Sequence, residues 1–314
     1  MSKSAWKRAG VCLTAVAVVA GIAGCGGEAA DKKAADKGAG KGEDRSVTQV
    51  LTSAYKKTSE ARTAKVEMDM KMSGKMATEA GGSDMKMSGV MGWDPTVMDM
   101  TITGGALKSQ GGPEQSRMVW LDNVMYMDMG AKSAKDMDGK RWMKMDIAGM
   151  AEMSGDKALQ KQMTGSLESM NQDPASQLAM LLESPGVKHV GEETIGGVRT
   201  QHYTGKISVK EMISSNKSLD TFSKEDRAKL LDGIKKSGIN GFDTEVWVNE
   251  DDYPVKMDVD IDSPDGKMTM VMTYTDYGVK AAVKAPPAGE TFDLMEMLKE
   301  LQGMGDEMKA SGLG

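Results

Sequence analysis

The sequence predicts an α+β protein, built on a large antiparallel sheet of about ten strands with helices covering one face. Three observations predict it. Apolar residues, mostly methionine, alternate with charged ones over long runs. Amphipathic helical stretches precede and interrupt those runs, and glycine pairs punctuate them. Period-two alternation marks strands with one buried and one solvated face. A sheet of that size normally curls, and once curled it either closes on packed side chains or encloses a cavity.

The chain begins with Lys3, Lys7 and Arg8, then an apolar run from Ala9 to Ala20 broken only by Thr14. This is the grammar of an export signal, and the run is shorter than the roughly 20 residues a membrane span needs. Ile22, Ala23, Gly24 and Cys25 follow. They resemble the bacterial lipobox, in which the cysteine sulfur takes a diacylglyceryl group and the cysteine becomes the new N-terminus. Residues 1–24 are thus expected to be a lipoprotein signal peptide and Cys25 the lipidation site. Diacylglyceryl transferase and signal peptidase II are the maturation partners. Two acyl chains give stable attachment where one is marginal. The polar, charged and glycine-containing tract that completes residues 25–45 reads as a disordered tether, about 25 Å in reach as a flexible coil.

Ser46, with Gln49 three residues later, has capping-box spacing, and Val47, Val50, Leu51, Ala54 and Tyr55 form one apolar stripe. That helix is expected to end near Arg62. Alternation then takes over through Val66, Met68, Met70 and Met72, through Met85, Met87, Met91 and Trp93 with Gly89 in the apolar register, and through Met98, Met100 and Ile102. Met118 and Trp120 precede Met125, Met127 and Met129 across an Asp122-Asn123 turn. A strand-like Trp142–Met145 leads into a helical middle region, whose clearest helix has Asp173 as N-cap, Pro174 in the first turn and Pro185 as its stop. Strands over 187–194 and 198–207 flank Gly196-Gly197, and a helix is expected over Ser223–Lys236.

Phe242–Asn249 is the next strand. Val255, Met257, Val259 and Ile261 then alternate in the strand after it, Ser263–Gly266 turns the chain, and Met268, Met270, Met272 and Tyr274 alternate in the last. Pro286-Pro287 is expected to close the sheet. No second linker divides residues 46–290, which read as one domain, and 291–314 read as a weakly helical tail.

Composition narrows the function. The formal net charge is −6 and becomes more negative without the basic start, which disfavours nucleic acid as a partner. Of two cysteines, Cys12 leaves with the signal and Cys25 is spent on lipid, so the mature chain has neither a disulfide nor a thiol nucleophile. The chain has no G-x-S-x-G, Walker A, H-E-x-x-H or C-x-x-C motif. The reading is therefore not an enzyme, with no catalytic residue, cofactor or metal assigned. His189 and His202 both fall in strands, where a structural hydrogen-bonding role is favoured over catalysis. The acidic run Asn249–Asp252 lacks EF-hand spacing and reads as a solvated hairpin loop.

Methionine is the unusual feature, 31 residues against 5 Trp, 6 Tyr and 3 Phe. Three readings stand. Thioethers are flexible gap-fillers, and a period-two stripe is what any core face looks like; this gives a structural or interaction lipoprotein with a solid core. Unbranched side chains also repack around varied aliphatic ligands, which gives a lipid-binding cavity. Soft thioethers are plausible Cu(I) ligands, although M-x-M spacing follows automatically from strand alternation. The candidate cavity-lining residues are Val66, Met68, Met70, Met72, Met85, Met87, Met98, Met100, Ile102, Met125, Met127, Met257, Val259, Met268, Met270 and Met272.

Several stretches then resemble a known family. They are the helix ending Ala61-Arg62-Thr63-Ala64, the run Val190-Gly191-Glu192-Glu193-Thr194-Ile195-Gly196-Gly197-Val198-Arg199-Thr200-Gln201-His202-Tyr203, Val246-Trp247-Val248-Asn249 with Tyr253-Pro254, and Tyr274–Gly278. Over residues 46–290 the chain is similar to actinobacterial lipoproteins of the LppX/LprG kind and, more distantly, to the LolA/LolB carriers. The resemblance implies a curved, half-open β-barrel with helices on its concave face and an interior that holds acyl chains. It also implies no catalytic residues; the export signal and lipobox are what place the expected attachment at the outer face of the cytoplasmic membrane.

Overall fold

In the computed structural model, the described residues are 45–109, 111–153, 174–184, 186–209 and 241–300, with isolated positions between 228 and 239 and Gly303. The expected signal peptide, Cys25, the expected tether up to residue 44, Asp173, Pro185 and most of the helix expected over 223–236 lie outside them.

Helix α1 (Val47–Ala61) starts as its sequence dictates. The Ser46 hydroxyl accepts from the Gln49 N–H at 3.2 Å, and the Gln49 side chain accepts from the Ser46 N–H at 2.9 Å. Together they satisfy two of the orphan donors of a helix start. Arg62 ends the helix in the left-handed region at φ 63, and Arg45 Nη1 reaches Asp252 Oδ1 at 2.6 Å, tying the residue before the N-cap to the acidic Asn249–Asp252 loop.

The strands are β1 (Thr63–Met72), β2 (Asp84–Trp93), β3 (Thr96–Gly104), β4 (Gln115–Leu121), β5 (Val124–Asp128), β6 (Trp142–Asp146), β7 (Lys188–Ile195), β8 (Val198–Ser208), β9 (Gly241–Asn249), β10 (Pro254–Ser263), β11 (Gly266–Thr275) and β12 (Thr291–Asp293). All belong to one 12-stranded sheet in the order β12-β6-β5-β4-β3-β2-β1-β11-β10-β9-β8-β7. Two meanders meet in the middle: β1 to β6 run outward on one side, and β7 to β11 return to pair with β1 on the other. Asp122 and Asn123 have φ 53 and 61, and Gly196 and Gly197 have φ 57 and 85. Both pairs make the two-residue hairpin whose twist matches the strands.

Between the strands lie short helices that the glycine punctuation did not announce: α2 (Gly74–Glu79), α3 (Gly105–Ser109) and α4 (Gly130–Asp136). Helix α5 (Ile147–Met153) follows β6, and α6 (Pro174–Glu183) precedes β7. Residues 294–300 are also helical.

Pro286-Pro287 does not close the sheet. The chain continues into β12, which pairs with β6 in parallel, the one parallel pair among the described strands. Three residues are too few for alternation to be read in the sequence. Lys144 Nζ holds Asp293 Oδ2 at 2.7 Å across this pair. Burial pushes the Asp293 carboxyl up, but the Lys144 hydrogen bond and the N–H groups of Met295 and Glu296 outweigh it and the pKa falls below its ordinary value. A carboxyl with a lowered folded pKa contributes stability above its unfolded value, near pH 4, and loses it as pH drops through the folded one. Amides 291–293 should therefore exchange faster, after correction for intrinsic rate, as pH falls below about 4. Asp293→Asn should reproduce the loosening at neutral pH. Unchanged protection in both experiments would remove this ion pair from the account of β12.

The core lies between the helices and one sheet face, here called the inner face. Val50, Leu51 and Ala54 of α1 and Leu178 and Leu181 of α6 form one cluster with Ala64, Val66, Met98, Met100, Trp120, Tyr203, Val246, Val248, Met257, Met272 and Tyr274. Gly205 makes room for α6: a Cβ there would meet Leu181 Cδ1 at 2.5 Å. On the opposite, outer face the alternating charges pair across strands, as Lys86 does with Asp69 at 2.5 Å and Arg117 with Asp99 at 2.6 Å.

Candidate functional site

The register of the ladders turns the alternation of single strands into rows that cross the sheet. One row runs Ala64–Met91–Met98–Trp120–Met125–Met145, and the next runs Val66–Gly89–Met100–Met118–Met127–Met143. A third joins Met87, Met68, Met272 and Met257 on β2, β1, β11 and β10. A fourth joins Met85, Met70, Met270 and Val259, and beyond it Met72 pairs with Met268. All the candidate residues therefore share the inner face, as the period-two reading requires.

Their environments differ along the strands. Val66, Met98, Met100, Met257 and Met272 are sealed in the cluster under α1 and α6. Ile102 is also buried, at 6% exposure. Met68, Met87, Met125, Val259 and Met270 are half-buried and pack against the cluster. Met70, Met72, Met85, Met127 and Met268 are half-buried and outside it. The site thus grades from a packed end into thioethers that keep part of their surface open.

The closed end is aromatic. Tyr277 stacks on Tyr253 with ring centroids 4.5 Å apart and donates its hydroxyl to the Pro254 carbonyl at 2.9 Å. Trp93 Nε1–H donates to the Thr58 carbonyl of α1 at 3.2 Å. Burial pushes the Tyr274 phenol well above its ordinary value, and its O–H donates to the Met272 sulfur at 3.3 Å. The Tyr253-Pro254 and Tyr274–Gly278 stretches that carry the family resemblance build this end.

A second cluster lies on the outer face, where sequence reasoning expected only solvated residues. Trp247 is 4% exposed and His202 6%. Their rings stack at 4.2 Å and 13°, and Lys256 Nζ lies 4.0 Å from the Trp247 ring centroid. Glu193 Oε1 is 2.9 Å from His202 Nδ1, and Oε2 accepts from Trp247 Nε1 at 2.9 Å. The Trp247 hydrogen bond, opposed by desolvation and aided by His202, holds the Glu193 carboxyl below its ordinary range. The continuous apolar run Val246-Trp247-Val248 was the available signal, since a strand buried on both faces loses its alternation. His202 has the structural hydrogen-bonding role expected of it. His189 is exposed, with Nε2 2.7 Å from Gln201 Oε1.

An open recess of about 490 Å³ lies at the ends of β2, β3 and β4, lined by Asp84, Thr103, Gly104, Gly105, Lys108, Glu114 and Gln115. Its charged walls, with Lys108 and Glu114 paired at 3.1 Å, do not suit an acyl chain, and none of the candidate lining residues borders it. Among the described residues no helix is long and apolar enough to cross a membrane.

No protein-family model matches the chain. It is 30% identical over 254 residues to an uncharacterized 31.2 kDa protein from the rplA–rplJ intergenic region of Streptomyces griseus, with 80% of each chain covered. It is 24% identical over 245 residues to a putative lipoprotein of Streptomyces coelicolor, covering 77% of this chain and 73% of that one. Among solved structures it is similar to the lipoprotein LppX of Mycobacterium tuberculosis, with a TM-score of 0.40 and 13% identity over 76% of this chain and 100% of that one. It is also similar to LprF of Mycobacterium bovis, with a TM-score of 0.41 and 12% identity over 77% of this chain and 97% of that one. The LppX/LprG resemblance read from the sequence thus reappears among the structural neighbours.

Proposed function

The chain belongs to the family of the Streptomyces griseus 31.2 kDa protein, and from that premise we propose that it is a lipid-anchored envelope protein whose methionine-rich inner face binds acyl chains without catalysing a reaction. The observation that supports it is the set of half-buried thioethers outside the packed cluster, Met70, Met72, Met85, Met127 and Met268. A face that merely closed a core would have its methionines sealed as Met100 and Met257 are, both at 0% exposure. Half-buried apolar side chains next to a rigid packed end offer a lipid tail contact area, and unbranched thioethers adapt to its shape. The name of the Streptomyces coelicolor relative and the Ile22–Cys25 lipobox support the anchor. The signal ahead of the lipobox supports placement at the outer face of the cytoplasmic membrane, after processing by diacylglyceryl transferase and signal peptidase II.

Mass spectrometry tests both parts on one sample. Wild-type protein from its native membrane, in denatured form, should begin at Cys25 with a diacylglyceryl adduct, and under native conditions it should release an additional non-covalent acyl lipid. The Cys25→Ser variant removes the sulfur nucleophile. It should lose the covalent adduct yet keep the non-covalent lipid, because Cys25 is separated by the tether from the packed region. Ligand-free native spectra, together with no uptake of a fluorescent fatty-acyl probe, would replace this reading with a structural lipoprotein. An unmodified Cys25 would remove the anchor.

A further inference from the structure

We propose that the inner face also holds two sites for a soft monovalent cation, Cu(I), one on the row Met85–Met70–Met270 and one on the row Met118–Met127–Met143. Alternation within one strand brings thioethers no closer than alternate residues, about 6.8 Å apart, and by itself indicates nothing. The cross-strand register is a separate observation. Met85, Met70 and Met270 are direct neighbours on β2, β1 and β11, and Met118, Met127 and Met143 are direct neighbours on β4, β5 and β6. Adjacent strands lie about 4.8 Å apart, and a methionine side chain has three rotatable bonds. Three sulfurs from one row can therefore close on a single ion without moving the backbone.

Access and ligand chemistry separate these rows from the rest of the face. All six methionines are half-buried, so an ion can reach them. The row Met87–Met68–Met272–Met257 is closed by contrast: its last two members are 3% and 0% exposed, and the Met272 sulfur is occupied by the Tyr274 hydroxyl. The neighbours that end the two rows are Gly104 and Val259 for the first, and Met100 and Phe292 for the second. No carboxylate, imidazole or thiol stands in either row. Among the described residues no group of three or more His, Cys, Asp and Glu could hold a metal ion instead. A ligand set of thioethers alone selects Cu(I) over harder divalent ions.

The metal sites need thioether sulfur and do not depend on acyl binding, so each is read by its own experiment. Met→Leu conserves volume and apolar character and is among the best-tolerated core substitutions, while removing the sulfur. The full chain carrying Cys12→Ser and Cys25→Ser, so that no thiol competes, is titrated anaerobically with Cu(I) against a colorimetric Cu(I) chelator. Two equivalents are expected to bind at least 100-fold more tightly than to free methionine. The triple variant Met70→Leu/Met85→Leu/Met270→Leu should retain one equivalent, as should Met118→Leu/Met127→Leu/Met143→Leu, and the sixfold variant none. The far-UV circular-dichroism spectrum and thermal midpoint should stay close to wild type in all three, so that a lost equivalent reports lost sulfur and not lost fold. X-ray absorption of the loaded protein should show sulfur ligands only. Binding no tighter than to free methionine, retention of both equivalents in a triple variant, or nitrogen or oxygen ligation would each overturn the proposal. Absent fatty-acyl probe uptake by the wild-type chain, with both equivalents of Cu(I) bound, would count against the acyl-binding reading and leave the metal sites standing.

Discussion

Gly89→Val is expected to leave no folded protein at ordinary temperature. Gly89 sits on β2 between Val66 and Met100 in the second methionine row. A Cβ there would lie inside van der Waals contact of the Asp99 carbonyl oxygen and 2.9 Å from Met100 Cα. Both obstacles are backbone of the adjacent strand β3, so no rotamer change relieves them. Inserting methylenes into a well-packed core costs about 1–3 kcal/mol when side chains can shift. Here the strand itself must move, in the central part of the sheet, and native stabilities are only about 5–15 kcal/mol. Gly89→Ala should show the same defect in milder form, as a lower denaturation midpoint at unchanged m-value. A Gly89→Val protein as stable as wild type would show that β2 and β3 are not packed in this register.

The second large effect is expected at Trp120. Its side chain is 1% exposed and belongs to the row beneath α1 and α6, yet its buried indole N–H has no hydrogen-bond partner among the described residues. Trp120→Ala should cost about 3–5 kcal/mol, the usual loss for truncating a buried large aromatic. Trp120→Phe should cost far less, because the smaller cavity is offset by removing an unpaired polar group that is itself costly to bury. Urea denaturation of the two variants separates the contributions. If Phe is as damaging as Ala, the indole N–H has a partner that matters, and the core is more polar there than its neighbours indicate.

These two residues also show what the sequence made legible. Gly89 in the apolar register and Trp120 on the strand before the Asp122-Asn123 turn were both readable, because alternation and hairpin chemistry are local. The Ser46 capping box was readable for the same reason. Pairing between distant strands was not: nothing near Thr63–Met72 announces Gly266–Thr275 as its neighbour, and β12 is too short to carry a period. The candidate site was legible as a face, since all of its residues do point inward. The split between sealed Met257 and half-buried Met70 was not, because both occupy the same phase of the same pattern and differ in whether they join the cluster to which α1 and α6 contribute. Trp247 escaped for the opposite reason. It stands in the solvated phase and is buried by partners from three other strands: Glu193, His202 and Lys256.

The meeting of β1 with β11 in the middle of the sheet has a kinetic consequence. The first strand of the chain waits for the second-last before its free edge is covered, so the contact that joins the two meanders spans most of the sequence. Contacts of such long separation close slowly, because loop entropy is lost before they contribute. During synthesis the N-terminal meander can pair within itself, but β1 keeps an unpaired row of backbone donors and acceptors until the C-terminal strands arrive. Strand β11 therefore decides when the sheet becomes continuous: a chain that stops short of it leaves β1 with an open edge on which another strand can pair.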